Sequence, residues 1–198
     1  RLNSSQHSIK LAYDYRNKGH HIEAGLGFRH ERIAENSREW EYRDSSGYSM
    51  PHNPEALEVI YNLRSNNSIS SNHLEMYVQD TWRRETSNSI FSLNYGLRMS
   101  HWSWNKEWLF SPRASLTYIP KNHDNMTIRL ATGLYYQRPF YKELRDTITN
   151  GATTIVQLNK DIQSQRSFQV IAGYEYRFKL GKRPFLFSTE LYYKAQDR

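Results

Sequence analysis

Apolar and polar residues alternate along most of this chain with a period of two. Successive side chains of a β-strand point to opposite faces of its sheet, so the pattern predicts strands with one apolar face. Eight such runs stand out, near 7–16, 21–34, 72–82, 90–100, 111–119, 126–137, 166–178 and 184–195. On one phase, as for Phe91, Leu93, Tyr95, Leu97 and Met99 in the fourth run, they supply 35 positions. None of these is charged, and only Thr132 and Thr189 are not apolar. The opposite phase carries charge, including Arg98, Arg113, Arg129, Glu175 and Arg177, together with five of the nine glycines. Helical spacing occurs only at 54–63, PEALEVIYNL, which predicts one short helix inside a loop.

The connections alternate in length. Those at 17–20, 83–89, 119–125 and 179–183 are short, those at 35–71 and 138–165 are long, and 101–110 is intermediate. Transmembrane β-barrels of the outer membrane have short periplasmic turns and longer extracellular loops. A chain threading up and down would give this alternation, with the odd-numbered runs heading for the periplasm.

A soluble barrel would also alternate, with its apolar phase turned inward. Three features favour lipid on the apolar side. The runs are about 10–14 residues long against a usual strand of about 5–6, and at a tilt of about 45° they span a band of roughly 25 Å. Glycine inside a strand marks close approach of other groups, which a crowded lumen supplies and water does not. Aromatic residues gather near the ends of the runs, as Tyr13, Trp82, Tyr118, Phe178 and Phe185 do, in the manner of an interfacial girdle.

Composition agrees. Only 37% of the 198 residues are hydrophobic and the mean hydropathy is -0.87, a thin supply for a soluble core, while aromatics reach 14%. No run is long and apolar enough for a transmembrane helix, and no signal peptide opens the chain. The absence of cysteine rules out disulfides and thiolate metal sites. The net charge of +7 is spread along the chain rather than clustered, which speaks against a nucleic-acid partner. Both ends read as cut from a longer polypeptide. Residues 1–198 are expected to form part of one transmembrane β-barrel domain, all-β, antiparallel and up-and-down.

Four segments carry a resemblance to a known family. They are MYVQDTWR at 76–83, LNYGLRMSHW at 93–102, SPRASLTYIP at 111–120 and IRLATGLYYQRP at 128–139, followed by QSQRSFQVIAGYEYRF at 163–178. Together they resemble the barrel of TonB-dependent outer-membrane receptors over most of residues 70–178, with the YVQD-x-W, GLR and SPR order the most specific part. The first 70 residues match in barrel style only. The resemblance implies a 22-stranded barrel in the cell outer membrane, closed by a plug domain absent from this chain. It also implies uptake of a scarce nutrient, such as siderophore-iron, a glycan or a peptide, energised through TonB. The alternative is a plug-free outer-membrane porin or adhesin. The inward charges could then meet water, a plug, or one another across neighbouring strands.

No catalytic motif and no cofactor are expected. Gly25-x-Gly27 lies inside a strand without a following helix, and Gly181-Lys182 lacks phosphate-loop spacing. An outer-membrane hydrolase could hold a dispersed Ser–His pair, such as Ser100 with His101. His20-His21 sits at a short turn with no carboxylate partner at ligand spacing in sequence, so no metal site is expected. The candidate ligand-binding residues are Trp102, Trp104 and Trp108, whose rings could stack on a sugar or an aromatic chelate if 101–110 is an extracellular loop. Arg138, Tyr141 and Arg145 open the next long loop and could meet an anionic ligand. For these too there are plainer readings: an upper aromatic girdle for the tryptophans and a solvated loop base for the others.

Overall fold

A computed structural model describes residues 1–42, 59–123, 125–151 and 153–197. Ten strands are present: β1 Leu2–Asn17, β2 His20–Tyr42, β3 Val59–Glu85, β4 Ser89–Trp102, β5 Glu107–Pro120, β6 Met126–Gln137, β7 Arg145–Asn150, β8 Thr153–Leu158, β9 Gln165–Leu180 and β10 Arg183–Asp197. One 3-10 turn, Lys121–His123, precedes β6. All are in one sheet, whose main path runs β1-β2-β3-β4-β5-β6-β9-β10. Every neighbouring pair on that path is antiparallel. The sheet is not closed, and β1 and β10 form its two edges.

Each of the eight expected runs falls within a strand of this path. The register sorts their phases onto two faces. One row crosses all eight strands as Asp14, Glu23, Gln79, Gly96, Arg113, Gly133, Gln169 and Lys194. The adjacent row reads Tyr15, Ile22, Asp80, Tyr95, Ala114, Thr132, Val170 and Tyr193. A slip of one residue in any pairing would mix the two faces.

Asp80 is a charged residue within the central rows of the apolar face. It is buried, with His20 Nδ1 at 2.6 Å and the Tyr95 hydroxyl donating at 3.0 Å. Both partners share its face and reach the same oxygen, Oδ2, while Oδ1 is buried without a hydrogen-bond partner among the described residues.

Three expectations about the connections change. The long 35–71 loop is mostly strand: β2 and β3 pair from His20↔Trp82 to Tyr42↔Val59. The expected helix at 54–63 is therefore strand from Val59 onward, and its first part lies outside the described residues. The 101–110 connection contracts to 103–106, with Lys106 at a φ of 58° in the turn. The 138–165 loop contains a hairpin of its own, β7–β8, and β8 joins β3 in parallel from Asn62↔Thr153 to Ser65↔Val156.

Two of the five glycines on the polar face lie against a ring of the same sheet. A Cβ on Gly25 would lie 2.2 Å from Tyr77 Cε1, and one on Gly133 would lie 2.9 Å from Tyr135 Cε2. Gly25 is the direct cross-strand partner of Tyr77. Each glycine thus makes room for a tyrosine ring of the same sheet to lie flat on the backbone, which restores apolar cover where the side chain is missing.

Among the described residues, one compact core lies where the segment between β6 and β9 folds onto the polar face. Ile69, Trp102 and Leu144 are buried there, and Trp104, Tyr141, Leu158 and Ile162 pack against them.

Candidate functional site

This core and its polar rim sit at the end of the sheet opposite the short turns. β2 supplies Glu31 and Glu35, β3 supplies His73 and Glu75, β4 supplies Trp102, and the segment after β6 supplies Arg138, Tyr141 and Arg145. The strand residues come from the polar phase because their register puts them there: Arg29 faces His73, and His73 faces Trp102.

Arg138 reaches down to the wall. Its guanidinium donates to His73 Nδ1 and approaches Glu75 Oε1 at 3.5 Å. An arginine can only donate, so Nδ1 accepts and the ring proton sits on Nε2. That proton points to Glu31 Oε2 at 3.2 Å. The same imidazole stacks on Trp102, centroids 5.6 Å apart and planes 16° from parallel. Burial pulls the Arg138 guanidinium below its ordinary value; Glu75 opposes the shift, and Arg29 and Arg98 add to it.

Glu35 is a second anchor. It accepts from Ser65 Oγ at 2.7 Å and from the Tyr141 hydroxyl at 2.9 Å, and Arg145 Nη1 lies 3.6 Å away. Burial opposes ionisation of this carboxyl, but the two donated protons and the Arg145 charge outweigh it and hold the group below its ordinary value. Burial and the bond to Glu35 push the Tyr141 phenol up to about 12. A third tie joins the far end of the segment to the β4–β5 turn, where Glu107 accepts from Ser164 Oγ at 2.6 Å and Ser164 N at 3.1 Å.

The candidate residues thus separate. Trp102 and Trp104 are brought together with Arg138, Tyr141 and Arg145. The indole nitrogens of Trp102 and Trp104 are buried without a partner, and Lys160 Nζ lies 5.0 Å from the Trp104 ring centre. Trp108 stands apart on the apolar face, exposed and paired with His101 at 4.6 Å between centroids. This is the girdle arrangement on an extended strand pair. Arg138, Tyr141 and Arg145 are engaged by wall carboxylates. His73, Glu31, Glu35 and Glu75 were missed as members of the cluster. The available signal was that acidic residues recur on the polar phase of β2 and β3 near one end.

Further along the polar face the expected charges pair mainly among themselves. Arg129 holds Glu175 through both guanidinium nitrogens, Arg98 lies 3.9 Å from Glu75, and Arg113 stands 4.6 Å over the Tyr135 ring. Arg177 lies at the short-turn end and is exposed.

The two histidines at the first short turn do have carboxylate partners, contrary to expectation. His21 meets Asp14 across β1–β2, and His20 meets Asp80 across β2–β3. Cross-strand register, invisible as local spacing, makes these contacts. Asp14, His21 and Glu23 bring ligand atoms within 4.8 Å of one another. Arg16, 3.4 Å from Asp14, and Gln79, bonded to Glu23, already occupy the two carboxylates.

Solved structures share this architecture. The siderophore receptor PirA from Acinetobacter baumannii superimposes with a TM-score of 0.54 and 16% identity, covering 88% of this chain and 25% of that one. The ferric enterobactin receptor PfeA, solved in complex with BCV-L6, gives 0.56 and 14%, with the same coverage of 88% and 25%. The chain therefore spans about a quarter of the length of these receptors. No curated protein matches it in sequence. The sequence pattern of the TonB dependent receptor-like β-barrel matches residues 2–197. The chain belongs to the TonB-dependent receptor β-barrel family.

Proposed function

We propose that this chain is a wall segment of an outer-membrane receptor that takes up a scarce nutrient, with energy delivered through TonB and a plug domain filling the barrel. Its apolar face meets outer-membrane lipid and its polar face meets the plug and the passing ligand. The observation that carries this reading is the covered cluster on the polar face. The segment after β6 folds onto the polar face and brings Arg138, Tyr141 and Arg145 together with Trp102 and Trp104; in this reading that face is the wall of the ligand's route. Two buried indole N–H groups without acceptors and three tethered cationic or phenolic donors suit a ligand rich in oxygen acceptors. A ferric siderophore is the first candidate, because one similar receptor is named for siderophores and the other for ferric enterobactin; glycans and peptides follow. The family is one of transporters and receptors, and no catalytic role is proposed.

The test is uptake by cells carrying or lacking the complete protein, across a panel of ferric siderophores, glycans and peptides. One ligand should bind with or without a proton-motive force and be internalised only with it. Passive conductance by the purified barrel, unaffected by an uncoupler, would point to a plug-free porin.

A further inference from the structure

The charge of the chain is not spread evenly between the two ends of the sheet. The short-turn segments 16–20, 83–89, 119–125 and 179–183 contain eight lysines and arginines against two acidic residues, +6 of the chain's net +7. At the other end, 103–106 and 138–164 contain five lysines and arginines against three acidic residues. Sequence order hides this, since the basic residues come in ones and twos.

The fold joins these turns into one collar. Arg83 N donates to Gly19 O at 2.7 Å, linking the first turn to the second. Lys121 N donates to Asn88 O at 2.8 Å, and Lys121 Nζ pairs with Glu85 at 2.6 Å, linking the second to the third. Arg177 N donates to Asn125 O at 2.8 Å, linking the third to β9. Glu85, one of the two acids, is thereby consumed by Lys121. Lys18, Arg83, Arg84, Lys179, Lys182 and Arg183 are exposed and have no ion-pair partner among the described residues.

At the last turn the basic residues adjoin an aromatic ladder on the apolar face. Tyr176 stacks on Phe178 at 6.0 Å, and Phe178 on Phe185 at 5.6 Å. Arg183 pairs with Leu180 in the same phase as these rings, at the tip of the hairpin. An apolar face that ends in aromatic rings and then unpaired cations matches a phospholipid monolayer read from its tails to its phosphates.

We propose that this collar binds the phosphate headgroups of anionic phospholipids in the periplasmic leaflet, with Lys179, Lys182 and Arg183 as its strongest site. The inference rests on the proposed function only for the orientation of the barrel, short turns toward the periplasm.

The complete protein is purified in mild detergent and placed in nanodiscs of phosphatidylcholine with a minor share of phosphatidylglycerol. The lipids retained after re-extraction are then counted by native mass spectrometry. The wild type should retain phosphatidylglycerol in preference to phosphatidylcholine. K179Q/K182Q/R183Q should lose about tenfold or more of that preference, since each cation near an anionic surface contributes on the order of 1 kcal/mol. T149Q/T153Q, at the opposite end, should leave it unchanged. Inorganic phosphate at millimolar concentration should not displace the lipid; displacement would show a free-anion site instead and overturn the proposal. Equal retention by wild type and triple variant would also overturn it.

Orientation is read separately, by labelling S87C and G151C in intact cells with an impermeant thiol reagent. Labelling of G151C alone with no lipid preference defeats the collar and spares the orientation. Labelling of S87C alone defeats the orientation, and with it the leaflet assigned here.

Discussion

Tyr141 donates to Glu35 across 2.9 Å, joining two residues 106 positions apart and fastening the segment after β6 to the polar face of β2. Hydrogen bonds to an ionised carboxylate contribute roughly 1.5–3 kcal/mol. Tyr141→Phe should therefore weaken the closed position of the β7–β8 hairpin by about that much. Hydrogen exchange at the β7 and β8 amides should speed up about tenfold or more while the paired amides of β4 and β5 stay protected. Unchanged exchange at β7–β8 would mean that the parallel pairing of β8 with β3 holds the hairpin alone.

The same tether sets a pH window. The folded Glu35 carboxyl lies below its ordinary value, so its contribution is present above the unfolded carboxylate value and is lost as pH falls through the folded one. The Tyr141 phenol is raised to about 12, so its contribution is complete below the ordinary phenol value and is lost as pH rises through about 12. A spin label on Thr149 should report a fixed distance to one on Asn36 across neutral pH, with loosening only in acid below the usual carboxylate range or in strong alkali. Loosening between pH 6 and pH 8 would assign the tether to another group.

Gly25 and Tyr77 should behave as a unit. Gly25→Ala places a methyl group where Tyr77 Cε1 now lies, 2.2 Å away, and forces the ring off the backbone. Overpacking of this kind costs about 1–3 kcal/mol. Denaturant unfolding of the complete barrel in detergent should show that loss for Gly25→Ala in the wild-type background and little further loss in a Tyr77→Ala background. Additive losses would separate the two residues.

Trp104 and Trp108 should differ in function. Trp104→Ala removes a ring beneath the inward-folded segment and should lower ligand affinity by about tenfold. Trp108→Ala, on the apolar face, should leave affinity unchanged and slightly weaken membrane anchoring. Binding of the identified nutrient to whole cells at low temperature measures the first; equal losses for both would contradict the separation of faces.

The eight strands of the main path are legible because two different surroundings impose a period of two on them. That signal ends where the surroundings become alike. Beyond Ile33, β2 and β3 pair polar residues on both phases, as in Glu35↔Asn67 on one and Asn36↔Asn66 on the other, so their upper parts read as loop. β7 and β8 are too short for alternation to separate from chance, and they owe their place to β3. The division of the tryptophans was present in parity: Trp102 falls on the polar phase of β4, and Trp108 on the apolar phase of β5. What no local pattern gives is the partner set of the tether. Arg138 and His73 are 65 positions apart, and only the fold brings them together.

The central claim is that lipid lies on the phase of Leu97 and a polar interior on the phase of Arg98. These 198 residues contain no cysteine, so single cysteines can be placed along β4 from Phe91 to Arg98 in a form of the complete protein whose remaining sequence is also cysteine-free. Spin-labelled in native-like membranes, positions 91, 93, 95 and 97 should collide with oxygen dissolved in lipid. Positions 92, 94, 96 and 98 should collide with a water-soluble nickel chelate or be shielded from both. Chelate access at 93, 95 and 97 with no alternation of period two would contradict the account.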